Sequence, residues 1–495
     1  MSRSLPRALA SASTLLIASS LLLSSSGAHA LPRFARELLP TSAADLTPPP
    51  IAVLTSEPSA ARGLVFVAPK SRAEGAVTGP EIIDDQGRPV WFHALTNGDN
   101  ATDFKVQRYR GEPVITWSQS QGSQAQGQPN GGQSPTPTVD YIVDQSYRVV
   151  ATVQAGNGLN ADSHEFKISE RNTALITIYN RIPYDLSSVG GPADGSVVDG
   201  VVQEIDIASG DVLFEWHSVD HVALGESHAP LPAAGNAYDY FHINAVSVDT
   251  DDNFVISARN TWALYKLDRR TGDVLWRLGG KQSDFELGDG VEFAWQHDPE
   301  PVGFGTYRLF DNEASPQVRE HSRVIWIHAD QRRHTATLVQ AFEHPDGILA
   351  GSQGNSQALP WGHTFVGWGA AGRFSEFSPR GELLFDAQVP AGYDDYRAYR
   401  AEWHGKPLTK PTARVTHDED GTPRVHAIWN GATEVARWYV IGGADSRRLW
   451  PLASSAWDGL DTAIAIGGAP NYVAVVAQDA RGRIIGRSEP IALAQ

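Results

Sequence analysis

Asn253-Phe-Val-Ile-Ser-Ala-Arg259, then Ala263-Leu-Tyr-Lys-Leu-Asp268, then Thr271-Gly272, then Val274-Leu-Trp276 is the stretch that decides the fold. Short apolar and β-branched runs alternate with polar turns, the signature of antiparallel strands joined by hairpins. The unit recurs. A turn precedes large apolar residues at Asp85-Gln-Gly87 (Val90-Trp91), Ala208-Ser-Gly210 (Leu213-Phe214), Arg270-Thr-Gly272 (Leu275-Trp276) and Pro379-Arg-Gly381 (Leu384-Phe385). Degenerate copies occupy 144–148 and 330–334. The anchors at 87, 148, 210, 272, 334 and 381 are separated by 61, 62, 62, 62 and 47 residues. Hairpin units at a fixed period are the mark of a β-propeller with four strands per blade. The expected fold is therefore all-β, with a six-bladed propeller over residues 61–404. A large β-sandwich with chance turn spacing is the competing reading, and the near-constant interval counts against it.

Outside that region the pattern changes. Short strands are expected at 411–415, 424–429, 435–441, 448–452, 462–466, 472–477 and 484–491, so residues 405–495 read as a small β-sandwich of immunoglobulin or fibronectin-like type. Residues 31–60, with Pro48, Pro49 and Pro50, read as an extended lead-in. The Gln/Gly/Ser-rich stretch 118–134 reads as a long surface loop. Residues 1–30 carry Arg3 and Arg7, an apolar run over 8–23 and Ala28-His-Ala30, which together form a secretory signal peptide cleaved near Ala30. There is no Arg-Arg pair, so the general secretory route is expected and the mature chain is secreted or periplasmic. No later run approaches the ~20 apolar residues of a membrane span.

Composition narrows the chemistry. The 495 residues include 57 acidic and 40 basic side chains and no cysteine. Thiolate catalysis, disulfides and iron–sulfur clusters are excluded. The net charge of −17 argues against nucleic acid as a partner. No cofactor is expected.

Histidines recur in step with the repeat. His164 heads His164-Glu-Phe-Lys-Ile168, with Asn180 16 residues on; His242 stands in Phe241-His-Ile-Asn-Ala-Val246, with Asn260 18 residues on; His297 stands in Trp295-Gln-His-Asp298, with Asn312 15 residues on. Equivalent positions on adjacent blades surround one central channel. His242 and Asn244 are two apart on an expected strand and so share a face, and Arg259 returns alongside from the next strand. Guanidinium, amide and imidazole groups suit an anionic tetrahedral group, and histidine attacks covalently while a second histidine donates a proton. The candidate catalytic residues are His297, His242, His164 and Arg259. The candidate substrate-binding residues are Asn244, Asn260, Asn312, Trp295 and Phe241, the aromatic pair flanking an aryl ring together with Trp262. His363 is a further inner-strand candidate, and His217, His221 and His228 are rim or surface groups. Three histidines also admit a zinc site, but the adjacent arginine disfavours a cation and no metal is expected. Asp249-Thr-Asp-Asp-Asn253 lacks the Gly and distal Glu of a calcium loop and reads as a strand-connecting turn.

Several of these segments resemble the arylsulfotransferase family, in the branch found in fungi and various bacteria. They are Asp162-Ser-His-Glu-Phe166, Asp239-Tyr-Phe-His-Ile-Asn-Ala-Val246, Ser257-Ala-Arg-Asn260, Gln296-His297, Leu309-Phe-Asp-Asn312, Phe365-Val-Gly-Trp-Gly369 with Phe374-Ser-Glu-Phe377, and Asn430-Gly-Ala-Thr-Glu-Val435 with Trp438. The resemblance spans roughly residues 60–445. It implies a six-bladed propeller with a histidine-lined centre that moves a sulfuryl group from a phenolic sulfate ester to a phenol, without a nucleotide donor. By the same resemblance His297 is the nucleophile, His242, Asn244 and Arg259 hold the sulfate oxygens, and His164 is a further active-site histidine. Two other readings stay open at this point: a non-catalytic ligand- or protein-binding propeller, and a different His/Arg enzyme, an esterase or lyase, on the same scaffold.

Overall fold

A computed structural model describes residues 46–95, 98–120, 138–468 and 470–493. The signal peptide, the first part of the lead-in and most of the 118–134 stretch lie outside the described residues.

The hairpin units become sheets. Sheet II is Asn100–Tyr109, Glu112–Ser120, Val139–Val143 and Val149–Val153; sheet III is Ala161–Ile168, Thr173–Tyr184, Gly195–Asp206 and Val212–His217. Sheet IV is Ile243–Val248, Phe254–Ala258, Ala263–Leu267 and Val274–Gly279; sheet V is His297–Gly303, Thr306–Asp311, Arg323–Asp330 and Thr335–Glu343, with Glu286–Leu287 added at its edge. Sheet VI is Asn355–Ala358, Thr364–Gly367, Arg373–Phe377 and Leu383–Gln388. Sheet I combines Leu64–Val67, Glu81–Ile83 and Pro89–Phe92 with a strand from far along the chain, Tyr399–Ala401, which pairs with Leu64–Val67. Part of the lead-in also joins a sheet, because Ala52–Ser56 pairs with Leu383–Gln388 at the outer edge of sheet VI.

All six repeat anchors fall in the hairpin between the third and fourth strands of a sheet, and one local device makes each turn. The residue at the end of the third strand folds its side-chain oxygen onto the turn's backbone N–H groups. Asp84 accepts from Gln86 and Arg88, Asp144 from Ser146 and Arg148, and Asp206 from Ala208 and Ser209. Asp268 accepts from Arg270 and Thr271, Asp330 from Arg332 and Arg333, and Ser378 from Arg380 and Glu382. This is the Asx- or Ser-turn capping that makes Asp and Ser favoured there.

Burial explains why the inner strands are apolar at consecutive positions. On Phe254–Ala258, Phe254 and Ile256 pack against sheet III while Val255 packs against sheet V. A strand covered on both faces shows no polar alternation. One apolar core lies between each successive pair of sheets, ending with sheet VI against sheet I. The first strands neighbour one another in the same order, and Tyr399–Ala401 lies against both Asn100–Tyr109 and Thr364–Gly367.

The C-terminal strands form two antiparallel sheets. One runs Thr412–His417, Pro423–Ile428, Asp461–Ala465; the other runs Arg448–Ala456, Arg437–Asp445, Tyr472–Gln478, Ile484–Arg487. They enclose their own core around Trp438, Val440 and Val475. Backbone bonds tie this part to the first sheets: Leu460 N–H donates to Pro89 O at 2.7 Å, and Asn430 exchanges hydrogen bonds with the Phe92 backbone at 3.0 and 2.9 Å. No helix among the described residues is long and apolar enough to cross a membrane.

Candidate active site

The first strands do not run in perfect register. Pairing with the second strand shifts between Thr102 and Lys105, between Ala161 and Phe166, between Ile243 and Ala245, and between His297 and Glu300. Bulges of this kind re-aim side chains beside functional sites. Left-handed backbone accompanies them at Asp103, His242, Trp295 and Asp298, with φ of 56°, 57°, 58° and 52°. His242 therefore precedes its strand, which starts at Ile243, and the simple two-residue alternation with Asn244 does not govern its direction.

The predicted histidines and arginine do come together. The His164 and His242 rings meet at 5.3 Å between centroids, nearly perpendicular. Arg259 opens a single 3-10 turn after the second strand of sheet IV, and its backbone N–H donates to His242 O at 2.9 Å. Its guanidinium lies 4.7 Å from the Trp295 ring centre and donates to Asn260 Oδ1 at 3.1 Å and to Gly351 O at 3.4 Å. No carboxylate among the described residues lies within ion-pair distance of it. The His297 ring lies close enough to Arg259, His242 and His164 for each to disfavour its protonation.

Each imidazole is oriented through Nδ1. His164 Nδ1 meets Asp162 Oδ2 at 2.6 Å, His242 Nδ1 meets Asp239 Oδ2, and His297 Nδ1 meets Asn312 Oδ1 at 2.7 Å. Asn312 spends its amide N–H groups on Ala350 O and Gln353 O, which turns its oxygen to His297. His297 must then carry its proton on Nδ1 and its lone pair on Nε2. That lone pair accepts the Gln353 backbone N–H at 3.2 Å. Burial, followed by repulsion from Arg259, holds His297 well below its ordinary pKa of 6.5. Burial also lowers His242, against the pull of Asp239. Both rings are neutral at pH 7.

Two tyrosines complete the cluster. Tyr179 stacks on His164 at 5.0 Å and meets the His242 ring edge-on at 5.3 Å, and Tyr396 meets His164 at 5.7 Å. Burial raises both phenols well above 10, so they stay protonated donors. Their hydroxyls and Arg259 Nε are buried with no hydrogen-bond partner among the described residues. Buried donors left unpaired are rare and call for a ligand oxygen.

A second tier of charge underlies the histidines, at the next residue along two of the strands. Arg397 is fully buried and contacts Asp103 at 3.1 Å, Glu165 at 3.0 Å, Asp298 at 3.6 Å and the Asn244 carbonyl at 3.2 Å. One side chain thus touches the first strands of sheets II, III, IV and V. Lys105 bridges Asp103 and Glu165 at 2.6 and 3.0 Å.

The other predicted residues are placed differently. Asn260 braces Arg259 and Asn312 braces His297. Asn244 is fully buried and gives one amide N–H to Gln296 O at 2.7 Å, so it pins the strand that carries His297. Phe241 is also fully buried, among Trp216, Tyr240 and Tyr265, and faces the core rather than the histidines. Trp262 meets Trp295 at 5.1 Å and, with Phe293, His228, Lys281 and Arg319, lines a cavity of about 240 Å³. His363 pairs with Glu376 at 2.8 Å, His217 with Asp199 at 2.6 Å, and His221 stacks on Trp216. Asp249–Asn253 is the turn between two strands of sheet IV, and Asp249 is held by Lys266 at 2.7 Å. Among the described residues one His/Asp group, His344, Asp346 and Asp386, is compact enough for a metal ion. Arg373 already bridges both of its carboxylates, which removes the reason for a cation there.

Sequence reasoning overlooked Tyr179, Tyr396 and the two histidine-orienting carboxylates. Asp162 and Asp239 had a legible signal, since Asp two or three residues before His is a short-range Nδ1 partner. Tyr396 and Gln353 come from the far side of the circle and had none.

A family model described as arylsulfotransferase (ASST) matches residues 105–389. No curated protein matches the chain. Among solved structures, a protein of unknown function from Bacteroides caccae is similar at 10% identity and a TM-score of 0.41, over 68% of this chain and 98% of its own. A streptogramin B lyase is similar at 10% identity and a TM-score of 0.32, over 76% and 94%. A putative 6-phosphogluconolactonase from Bacteroides uniformis is similar at 12% identity and a TM-score of 0.35, over 87% and 97%. Scores this low identify neither an activity nor a ligand.

Proposed function

The chain belongs to the arylsulfotransferase family, and from that membership we propose that it is an exported enzyme moving a sulfuryl group from a phenolic sulfate ester to a phenol through a sulfohistidine. In this reading the six sheets are the blades of a propeller, the C-terminal sheet pair is an immunoglobulin or fibronectin-like sandwich, and residues 1–30 are the export signal. The observation that carries the reading is Arg259: a half-buried guanidinium with its Nε unpaired and no carboxylate within ion-pair distance among the described residues, beside three anchored imidazoles and two unpaired tyrosine hydroxyls. A partly desolvated cation among unpaired donors suits an anion that completes it.

Neutral His297 attacks sulfur in line from Nε2. Its Nδ1–H, held by Asn312, stabilises the positive charge that develops on the ring. The Gln353 N–H marks the place that sulfur takes and has to release the lone pair. Charge spreads over the three sulfuryl oxygens in the transition state, where fixed donors outweigh acid strength. Arg259, Tyr179 and Tyr396 supply donors, and His164 and His242 flank them. The aryl group is placed toward the cavity that Trp262 and Phe293 line, where aromatic side chains suit an aromatic ring. A second phenol then takes the sulfuryl group from His297, giving ping-pong kinetics.

The direct test supplies an aryl sulfate and a phenol, and follows both the new ester and label on histidine. Absence of transfer across a panel of aryl sulfates, together with saturable binding of a glycan or protein, supports a binding module instead. Two further outcomes are expected. Because burial holds His297 well below 6.5, the rate of the first half-reaction, phenol release from the aryl sulfate, stays level as pH falls through 6.5; an acid limb centred there assigns the attack to another group. Asp239→Ala removes the acceptor that fixes the His242 tautomer and lowers kcat about a hundredfold with unchanged circular dichroism; an unchanged kcat removes His242 from the reaction.

A further inference from the structure

Lys70 stands on the short strand Lys70–Ser71, which follows Leu64–Val67 of sheet I and pairs with Tyr393–Asp394 in a two-stranded sheet of its own. Its ammonium donates to Gln353 Oε1 at 2.8 Å and pairs with Asp394. Gln353 is the residue whose backbone N–H rests on His297 Nε2, and Gly351, two residues earlier, accepts from Arg259. One short segment therefore carries contacts to His297, Arg259 and Lys70 together. On the other side, Asp395 joins Lys70's partner Asp394 to Tyr396, which meets His164. The Lys70 side chain is 14% exposed.

The reaction needs a proton at the aryl oxygen, and His242 is poorly suited to give it. Neutral His242 holds its only N–H on Asp239, so Nε2 is a lone pair. The tyrosine hydroxyls hold their protons too tightly. We propose that Lys70 is the acid–base residue for the aryl oxygen, reached when the Gln353 side chain gives way to the aryl sulfate. This role rests on sulfuryl transfer being the reaction. As the bond from His297 Nε2 to sulfur forms, the sulfur–oxygen bond breaks and its electron pair stays on the aryl oxygen, which takes a proton from the Lys70 ammonium. In the return step the neutral amine takes the hydroxyl proton of the acceptor phenol. The new oxygen–sulfur bond forms, and the nitrogen–sulfur pair returns to His297. Burial lowers Lys70 to about 8, opposed by Asp395 and aided by Arg72, which places it between a donor and an acceptor of protons near neutral pH. Asp394, Asp395, Arg72 and the Gln353 amide are the charged and polar groups that face it, with Glu81 behind Asp395.

The test measures phenol release in the first turnover from 4-methylphenyl sulfate, a poor leaving group, and from 4-nitrophenyl sulfate, a good one. Wild type is compared with Lys70→Met and with Lys70→Arg, which keeps the cation and its hydrogen bonds but cannot give up a proton. Both variants are expected to lose about a hundredfold on the methylphenyl ester and far less on the nitrophenyl ester. Equal losses on the two esters make Lys70 a structural pin for Gln353 and overturn the proposal, as does a Lys70→Arg enzyme equal to wild type. If wild type releases phenol from neither ester, sulfuryl transfer itself fails and the role of Lys70 falls with it.

Discussion

His297→Ala is expected to abolish sulfuryl transfer, by about three orders of magnitude or more, while the protein stays folded. The ring is 1% exposed, neutral, and held at Nδ1 by Asn312, which is itself fixed by two backbone carbonyls. That chain of bonds leaves one tautomer, with the lone pair at Nε2. No other side chain of the cluster offers a neutral nitrogen fixed in this way with a backbone N–H in front of it. Removing the ring leaves Asn312 Oδ1 and the Gln353 N–H unpaired, which costs about 1–3 kcal/mol each. The variant should therefore melt earlier yet stay folded at ambient temperature, with unchanged circular dichroism. Label from a radioactive aryl sulfate should appear on wild type and be missing from the variant. Full activity in His297→Ala overturns the assignment. Loss of label from a His242→Ala protein with label kept in His297→Ala transfers the role to His242.

Arg397→Met is expected to destabilise the protein by about 3–5 kcal/mol, measured by denaturant unfolding. The guanidinium contacts two fully buried carboxylates, Asp103 and Glu165, and without it only Lys105 answers both. Burial pushes Glu165 up, but Arg397, then Lys105 and Lys167, reverse this and hold it well below 4.5. A depressed folded-state value contributes stability that is full above about pH 4.5 and fades as pH falls from there toward the folded value. Wild type should lose that contribution on acidification, whereas the variant, which lacks it already, should lose less, so the gap between the two should narrow in acid. Adding Asp103→Asn and Glu165→Gln should recover part of the loss, because removing the stranded charges removes their desolvation cost. No recovery means the arginine acts by filling volume.

The separate parts of the site were unequally readable. His164, His242 and His297 stand out because they recur at repeat intervals, and Arg259 because a hairpin returns it alongside His242; the structure brings all four into one cluster. Phe241 shares its motif with His242 but faces the core, since the left-handed turn at His242 sends neighbouring side chains apart. Asn260, Asn312 and Asn244 were read as substrate contacts; each spends hydrogen-bonding capacity on positioning a neighbour. Gln353, Tyr396, Lys70 and Arg397 carry no local pattern, because their partners lie on strands far apart in sequence.

The amino-acid sequence by itself determined the repeat, the hairpins and the all-β class, because these rest on contacts within a few residues. An Asp or Ser folding onto the next turn, and apolar runs between such turns, need nothing distant. The tertiary structure alone decided how the circle closes and what fills its centre. Tyr399–Ala401 pairs with Leu64–Val67 across more than 300 residues of chain, a contact that no local pattern specifies. Bulges on the first strands then choose which side chains meet at the axis, and a bulge is set by packing against the neighbouring sheet, not by the residues that form it.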